Sequence, residues 1–170
     1  SIIKDQKLQK NEFVLATIHR QENTDDEKKL RSIFLGLEEI HKTHTVILPM
    51  HPRTKSVLNK LSIHPKIQVI EPVGYYDMLE LLKNCSIVIT DSGGLQKEAF
   101  FNRKQTIVVR DETEWVELVS HGFAKLVGSN TKMILQTFDT FKATNKEFTV
   151  DLYGNNVGEK IYQSIYQLIH

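Results

Sequence analysis

The chain has 170 residues, 40% of them hydrophobic and 25% charged, with a formal net charge of +1. Those proportions suit one soluble globular domain with a sizeable core, and the near-neutral charge excludes a bulk electrostatic grip on nucleic acid or an anionic membrane. Cys85 is the only cysteine, which excludes an internal disulfide framework and a zinc ribbon and points to a reducing cytoplasm rather than a secreted protease.

The opening "SIIKDQKLQKNEF" lacks the apolar core of a signal peptide and reads as a polar arm. "FVLATI" (Phe13–Ile18) is the first predicted strand, followed by a polar turn, "HRQENTDD". Leu30, Ile33, Phe34, Leu37 and Ile40 then recur at helical spacing. "TVILPM" (Thr45–Met50) is the second strand, "HPRTKSVLNKLS" a turn and short helix, and "IQVI" (Ile67–Ile70) the third strand. "YYDMLELLKNC" carries Met78, Leu81 and Leu82 on one side of a helix. "SIVIT" (Ser86–Thr90) is the fourth strand, followed by a Gly-Gly turn and the helical "LQKEAFF". "TIVVR" (Thr106–Arg110) is the fifth strand, "TEWVELVSHG" a helix stopped by Gly122, and "AKLVG" (Ala124–Gly128) the sixth strand. A loop around Lys142–Asp151 separates two closing helices, "TKMILQTFDTF" and "VGEKIYQSIYQLI". No apolar run is long enough for a membrane span.

Several of these strands are near-continuous Val/Ile/Leu runs, as expected when both faces of a sheet are covered. Their alternation with helices predicts an α/β domain over residues 1–170, with a doubly wound, parallel, six-stranded Rossmann-like sheet. Ligands of such sheets bind beyond the carboxyl ends of the strands. Four polar clusters fall there: His19 to Asn23, His51 to Arg53, Asp91 to Gly94, and Arg110 to Glu114.

The third cluster has two competing readings. As a short pattern, Asp-Ser-Gly-Gly resembles the surroundings of the nucleophile in trypsin-like proteases. Those proteases are all-β, however, and a nucleophile elbow requires a glycine where this chain has Thr90. As a strand-to-helix turn, Gly93 and Gly94 let the backbone approach a ligand closely, and their N–H groups stand at a predicted helix N-terminus that favours phosphate. Ser92 can donate a hydroxyl to that anion or simply cap the helix. Glu98 repels phosphate but suits a ribose diol, whose hydroxyls donate to a carboxylate; the alternative is a solvated Glu paired with a neighbouring Lys. His41 and His44 have metal-ligand spacing but no evident third ligand. His64, His121 and His170 read as loop or terminal residues, and Trp115 as core or ligand wall. No metal site or cofactor is expected.

Five phrases together resemble the non-hydrolysing UDP-N-acetylglucosamine 2-epimerases: "TIHRQEN", "PMHPRT", "YYDMLELLKNCSIVITDSGGLQKEAF", "RDETEWVELVSHGFAKLVG" and "YGNNVGEKI". They cover most of the chain in family order but correspond only to the C-terminal half of such an enzyme. The resemblance therefore implies the C-terminal domain of a two-domain glycosyltransferase-B-type architecture, with a separate N-terminal half and a homodimer at full length. Carried over residue by residue, His19 matches the family histidine implicated in catalysis. Ser92, Gly93 and Gly94 match the UDP diphosphate-binding turn, Glu98 the ribose-binding carboxylate, and Met78 a position beside the uracil. Arg20 and His51 match contacts to a second, activating UDP-sugar. Where members acting on plain UDP-N-acetylglucosamine read Thr-Glu-Arg-Pro-Glu, this chain has Thr113-Glu114-Trp115-Val116-Glu117. That phrase is more similar to the branch acting on UDP-2,3-diacetamido-2,3-dideoxyglucuronate, and it makes Trp115 a candidate substrate contact.

The implied reaction inverts C2 of the sugar by eliminating UDP to a glycal and adding it back, for bacterial cell-surface polysaccharide precursors. The carboxylates that move the C2 proton belong, by resemblance, to the other half, so this half alone is expected to be inactive. Alternatives are a UDP-sugar-dependent glycosyltransferase domain, a hydrolysing epimerase, and a nucleotide-binding module without catalysis.

Overall fold

The computed structural model describes residues 1–144, 146–154 and 157–169, so Asn155 and Asn156 of "YGNNVGEKI" and the terminal His170 lie outside the described residues. The elements run in the order α1 (Ile2–Asp5), β1 (Val14–Thr17), α2 (Gln21–Thr24), α3 (Glu27–His41), β2 (Val46–Pro49), α4 (Pro52–Lys60), β3 (Gln68–Ile70) and α5 (Tyr75–Asn84). They continue through β4 (Ile87–Thr90), α6 (Gly93–Phe101), β5 (Gln105–Val108), α7 (Val116–Ser120), β6 (Ala124–Leu126), α8 (Thr131–Ala143) and α9 (Val157–Ile169). Each predicted strand is present, shortened at one or both ends, except that the fifth begins one residue earlier, at Gln105, and ends at Val108.

The six strands lie in the order β3-β2-β1-β4-β5-β6, and every pairing is parallel. The chain thus winds outward from β1 in one direction, returns, and winds outward from β4 in the other. The reversal between β1 and β4 opens a crevice at their carboxyl ends, where neighbouring loops diverge. In register, Thr17 faces Thr90 at that edge, and their hydroxyls meet at 2.6 Å.

Side chains alternate across the pleat into two cores. Val14, Ala16, Val46, Leu48, Ile87 and Ile89 pack against α3 and α8 through Leu30, Phe34, Leu37, Ile134 and Phe138. Leu15, Ile47 and Val88 point the other way, toward Leu81 and Leu82 of α5 and Leu95 and Ala99 of α6. A third cluster joins Phe100, Val108, Leu118 and Phe123, with Trp115, Phe148, Leu152 and Tyr153 packed against it. Phe148, within the loop read from sequence around Lys142–Asp151, and Leu152 and Tyr153 just after it therefore cover an apolar surface.

Three further readings are corrected. The N-terminal arm is docked, because Ile2 is buried with Ile3 and Leu8 against the α5 side of the sheet, and Gln68 donates to the Gln6 carbonyl. The "HRQENTDD" turn contains the one-turn helix α2, held by partners distant in sequence. The helix predicted from Thr113 begins only at Val116, because the Thr113 hydroxyl bonds Gln96 and the Trp115 N–H instead of entering a helical turn. It ends as expected at Gly122, whose φ of 73° is a left-handed conformation that favours glycine. Among the described residues no helix is long and apolar enough to cross a membrane.

Candidate functional site

The crevice between β1 and β4 leads into a cleft of about 370 Å³. Its lining draws on four segments. His19 follows β1, His51 follows β2, and Pro72, Val73, Tyr75 and Met78 form the stretch from β3 into α5, while Ser92, Gly94, Leu95 and Glu98 open α6. Six residues singled out from sequence, His19, His51, Met78, Ser92, Gly94 and Glu98, thus share one cavity.

The α6 end of the cleft presents hydrogen-bond donors. Ser92 is the N-cap, and its hydroxyl oxygen accepts from the Leu95 N–H at 3.4 Å, a long bond. Its hydroxyl proton is not engaged by that contact and can be donated outward. Gly93 and Gly94 are the first two residues of the helix rather than a turn before it. Amides at these positions have no partner within a helix and carry the positive end of its dipole. A Cβ built on Gly94 would meet nothing within 4 Å, so this backbone is open to an approaching ligand. Ser92 thus caps the helix and also borders the cleft.

Glu98 stands one helical turn beyond Gly94, on the same side. Among the described residues its carboxylate has no hydrogen-bond or ion-pair partner. The adjacent Lys97 lies instead over the rings of Trp115 and Tyr153, at 4.7 and 4.4 Å from their centres. The alternative of a Glu98 paired with a neighbouring lysine is thus not realised, and Glu98 is the only carboxylate in the lining. The stretch from β3 into α5, with Val73, Tyr75 and Met78, adds apolar surface that suits a flat ring.

His19 lies over a buried acid. Asp91, fully buried at the end of β4, accepts hydrogen bonds from the backbone N–H groups of His19 (3.0 Å) and Arg20 (2.9 Å) and from Asn23 Nδ2 (3.1 Å). Its other oxygen is 3.4 Å from His19 Nδ1. Asn23 also donates to the Val109 carbonyl at 2.9 Å, so α2 is fastened across the crevice both to the end of β4 and to the segment after β5. The His51 ring stacks on His19 with centres 5.2 Å apart. Burial lowers the His19 pKa below its ordinary 6.5; Asp91 opposes this, while His51 and Arg20 add to it. The His51 Nδ1 accepts from the Arg53 N–H at 3.2 Å, capping α4.

Beside this cleft runs an ion network that sequence reading did not assemble. Buried Arg110 donates to Glu22 at 3.0 Å and to both oxygens of Glu114 at 3.0 and 2.9 Å. Glu114, its carboxyl pKa lowered first by that Arg110 bond, lies 3.7 Å from Arg20. Arg20 itself does not line the cleft, and neither does Gly93, whose Cβ position is already crowded by Glu114 at 3.1 Å and Arg20 at 3.4 Å. Trp115 also stands outside the lining. Its indole N–H, available in principle to a ligand, donates to the Gly93 carbonyl at 2.7 Å and so braces the start of α6 from behind. Buried Gln96 does similar work, accepting from Thr113 at 2.6 Å and donating to the Ser92 carbonyl at 3.3 Å. Nothing local in the sequence signals these braces, whose partners are far apart in the chain. Thr113 lies 17 residues from Gln96, and His19 lies 72 from Asp91.

The two histidines with metal-ligand spacing are engaged otherwise. His41 Nδ1 accepts from the Val46 N–H at 3.0 Å, and His44 pairs with Thr43 and Lys142. Among the described residues no group of three or more His, Cys, Asp or Glu could hold a metal ion.

The sequence profile of a family described as UDP-N-acetylglucosamine 2-epimerase matches residues 1–166. A UDP-2,3-diacetamido-2,3-dideoxy-D-glucuronate 2-epimerase of Pseudomonas aeruginosa is 48% identical over 143 residues, 84% of this chain and 40% of that protein. A UDP-N-acetylglucosamine 2-epimerase homolog of Methanococcus maripaludis is 36% identical, covering 98% of this chain and 48% of that protein. The crystal structure of Methanocaldococcus jannaschii UDP-GlcNAc 2-epimerase in complex with UDP-GlcNAc and UDP superposes with a TM-score of 0.82 at 35% identity, over 92% of this chain and 46% of that one. The chain spans about half the length of the relatives it matches.

Proposed function

The chain belongs to the UDP-N-acetylglucosamine 2-epimerase family, and from that premise we propose that it is the UDP-holding, C-terminal half of a two-domain nucleotide-sugar 2-epimerase. The observation that carries this reading is the convergence of Ser92, Gly94, Glu98, Met78 and His19 on one cleft at the β1/β4 crevice. The amides at the start of α6 and the Ser92 hydroxyl meet the diphosphate. Glu98 accepts from the ribose hydroxyls, and Met78 lies against the base. His19 stands at the far end, toward the sugar.

The reaction moves one proton and one leaving group. A base removes the C2 proton, the C1–O bond breaks with its electron pair going to UDP, and a glycal forms. UDP then adds back at C1 while C2 receives a proton on its opposite face. Charge grows on the diphosphate as C1–O breaks, so donors aimed there stabilise the transition state more than the bound substrate. The C2 base is not supplied by this chain. Glu98 sits at the ribose end, Asp91 is sealed beneath His19, and Glu22 and Glu114 are pinned by Arg110. A second domain closing the cleft provides it.

We further assign the substrate to the diacetamido-uronate class, on the phrase Thr113 to Glu117 and the 48% identity to the Pseudomonas enzyme of that name. Trp115 acts on specificity only through the turn it braces. The lone, buried Cys85 suits a cytoplasmic protein, and the resemblance extends to a homodimer at full length. The test is to incubate the full-length protein in deuterated water with UDP-2,3-diacetamido-2,3-dideoxyglucuronate and no acceptor, following C2 by NMR. The expected product is the C2 epimer, still linked to UDP and carrying deuterium at C2. Turnover only when an acceptor is added would overturn the reading in favour of a transferase, and free sugar with UDP would indicate a hydrolysing enzyme.

A further inference from the structure

Asp91 does not line the cleft, yet no other carboxylate among the described residues is as deeply buried. It lies at the carboxyl end of β4, immediately before the diphosphate turn, while its hydrogen-bond partners sit on the β1 side of the crevice. All the contacts its carboxylate makes are to donors: two backbone N–H groups and one amide, with His19 Nδ1 at 3.4 Å. A side chain that only accepts, with a ring nitrogen 3.4 Å away, favours the imidazole tautomer that carries its proton on that nitrogen. Stacking of His51 on one face of the ring restricts its rotation.

We propose that Asp91 is the positioning residue of His19, holding the ring with Nδ1–H toward the carboxylate so that Nε2 is the nitrogen presented to the ligand. This deepens the function proposed above and rests on it for the role of His19. Chemically, the arrangement matters in both protonation states. Neutral, Nε2 offers a lone pair; protonated, it offers an N–H to the oxygen that takes up charge as C1–O breaks, with the cation steadied by Asp91 from behind. The charged and titratable groups facing the ring are Asp91 from β4, His51 from the start of α4, and Arg20 from its own segment. Asp91 is the only one of these that favours the cation. The same carboxylate holds the backbone of His19 and Arg20 leading into α2, and the Asn23 side chain within it, so one side chain at the end of β4 sets both the location and the chemistry of a residue 72 positions earlier.

The replacement Asp91→Asn keeps the shape and an acceptor oxygen but turns an amide donor toward Nδ1, which forces the proton to Nε2. The readout is histidine-selective 15N NMR on the chain, together with kinetics on the full-length protein. In wild type, neutral His19 is expected to be the Nδ1–H tautomer. In Asp91→Asn the Nε2–H tautomer should dominate, and the His19 titration midpoint should move to lower pH, because the only group favouring the cation is gone. Turnover should fall roughly 100-fold, within the range typical of a lost proton-transfer or proton-donating group, while UDP affinity changes less than about threefold. Asp91→Glu should restore the wild-type tautomer in part. A double replacement with His19→Asn should be no slower than His19→Asn alone, since Asp91 acts through His19. Finding the Nε2–H tautomer in wild type would overturn the proposal even if Asp91→Asn failed to fold, and so would rate losses that multiply in the double variant. If instead His19→Asn leaves turnover unchanged while the tautomer pattern is as expected, the functional role of His19 fails and the positioning stands.

Discussion

Replacing Gly94 by alanine separates the ligand argument from the folding argument, because the two predict effects of opposite sign. Gly94 is the second residue of α6, with helical backbone and nothing within 4 Å of an added Cβ. For the fold, the methyl therefore meets no obstacle, and glycine in a helix is less favourable than alanine by about 0.5–1 kcal/mol. A gain near the lower figure raises the melting temperature of a domain of this size by about 1–2 °C. For the ligand, the same methyl stands in the open space through which a diphosphate oxygen would reach the first amides of the helix. Losing one hydrogen bond to a charged group removes about 1.5–3 kcal/mol, which is roughly a 10- to 150-fold rise in the UDP dissociation constant. Gly93→Ala is the internal contrast. Its methyl would press on Glu114 at 3.1 Å and Arg20 at 3.4 Å, so it should disturb the ion network as well. The assay is an NMR shift titration with UDP, which reads weak binding to the chain, alongside thermal denaturation. A Gly94→Ala protein that melts no lower than wild type and binds UDP within about twofold of it would refute the cradle.

Two further outcomes follow from neighbouring residues. Glu98→Gln should weaken UDP while leaving 2′,3′-dideoxy-UDP nearly unaffected, because the carboxylate has no protein partner among the described residues and only the ribose hydroxyls need it; calorimetry with both nucleotides checks this, and an equal loss for both would remove Glu98 from the ribose site. Trp115→Phe should lower stability by about 1 kcal/mol through the lost bond to the Gly93 carbonyl and weaken UDP by loosening the turn. In wild type, Trp115 is the only tryptophan, so its emission should shift as UDP saturates, and emission that stays constant while calorimetry reports binding would disconnect the brace from the cradle.

How far the site was legible beforehand depends on how local each feature is. The strand-to-helix switch at Asp91-Ser92-Gly93-Gly94 is written in consecutive residues: a β-branched run, a capping hydroxyl and two residues without Cβ. Glu98 and Met78 were less legible: helical spacing set Met78 beside Leu81 and Leu82 and left Glu98 open between a ribose contact and a solvated residue, and only the resemblance put both at the ligand. Trp115 was not legible. Nothing near it in sequence indicates that its N–H would meet the Gly93 carbonyl, 22 residues before it. The Arg110 network was equally hidden, because Glu22 lies 88 residues from its partner. The N-terminal arm was misread because its polar majority outweighed Ile2, Ile3 and Leu8, three apolar residues that find a surface only once α5 is folded beside them.

The sequence by itself therefore determined the class of fold, the edge of the sheet that carries chemistry, and the polar groups available there. Periodicity and turn chemistry are short-range properties, and they dictate which face of each element is buried. Only the tertiary structure decided which of those groups meet. The order β3-β2-β1-β4-β5-β6 makes β1 and β4 neighbours, and that adjacency alone brings Asp91 beneath His19 and sets the start of α6 across from α2. Many strand orders bury the same apolar faces. The choice among them rests on packing and on hydrogen bonds between residues far apart in the chain, and a residue's own neighbours in sequence carry no record of those.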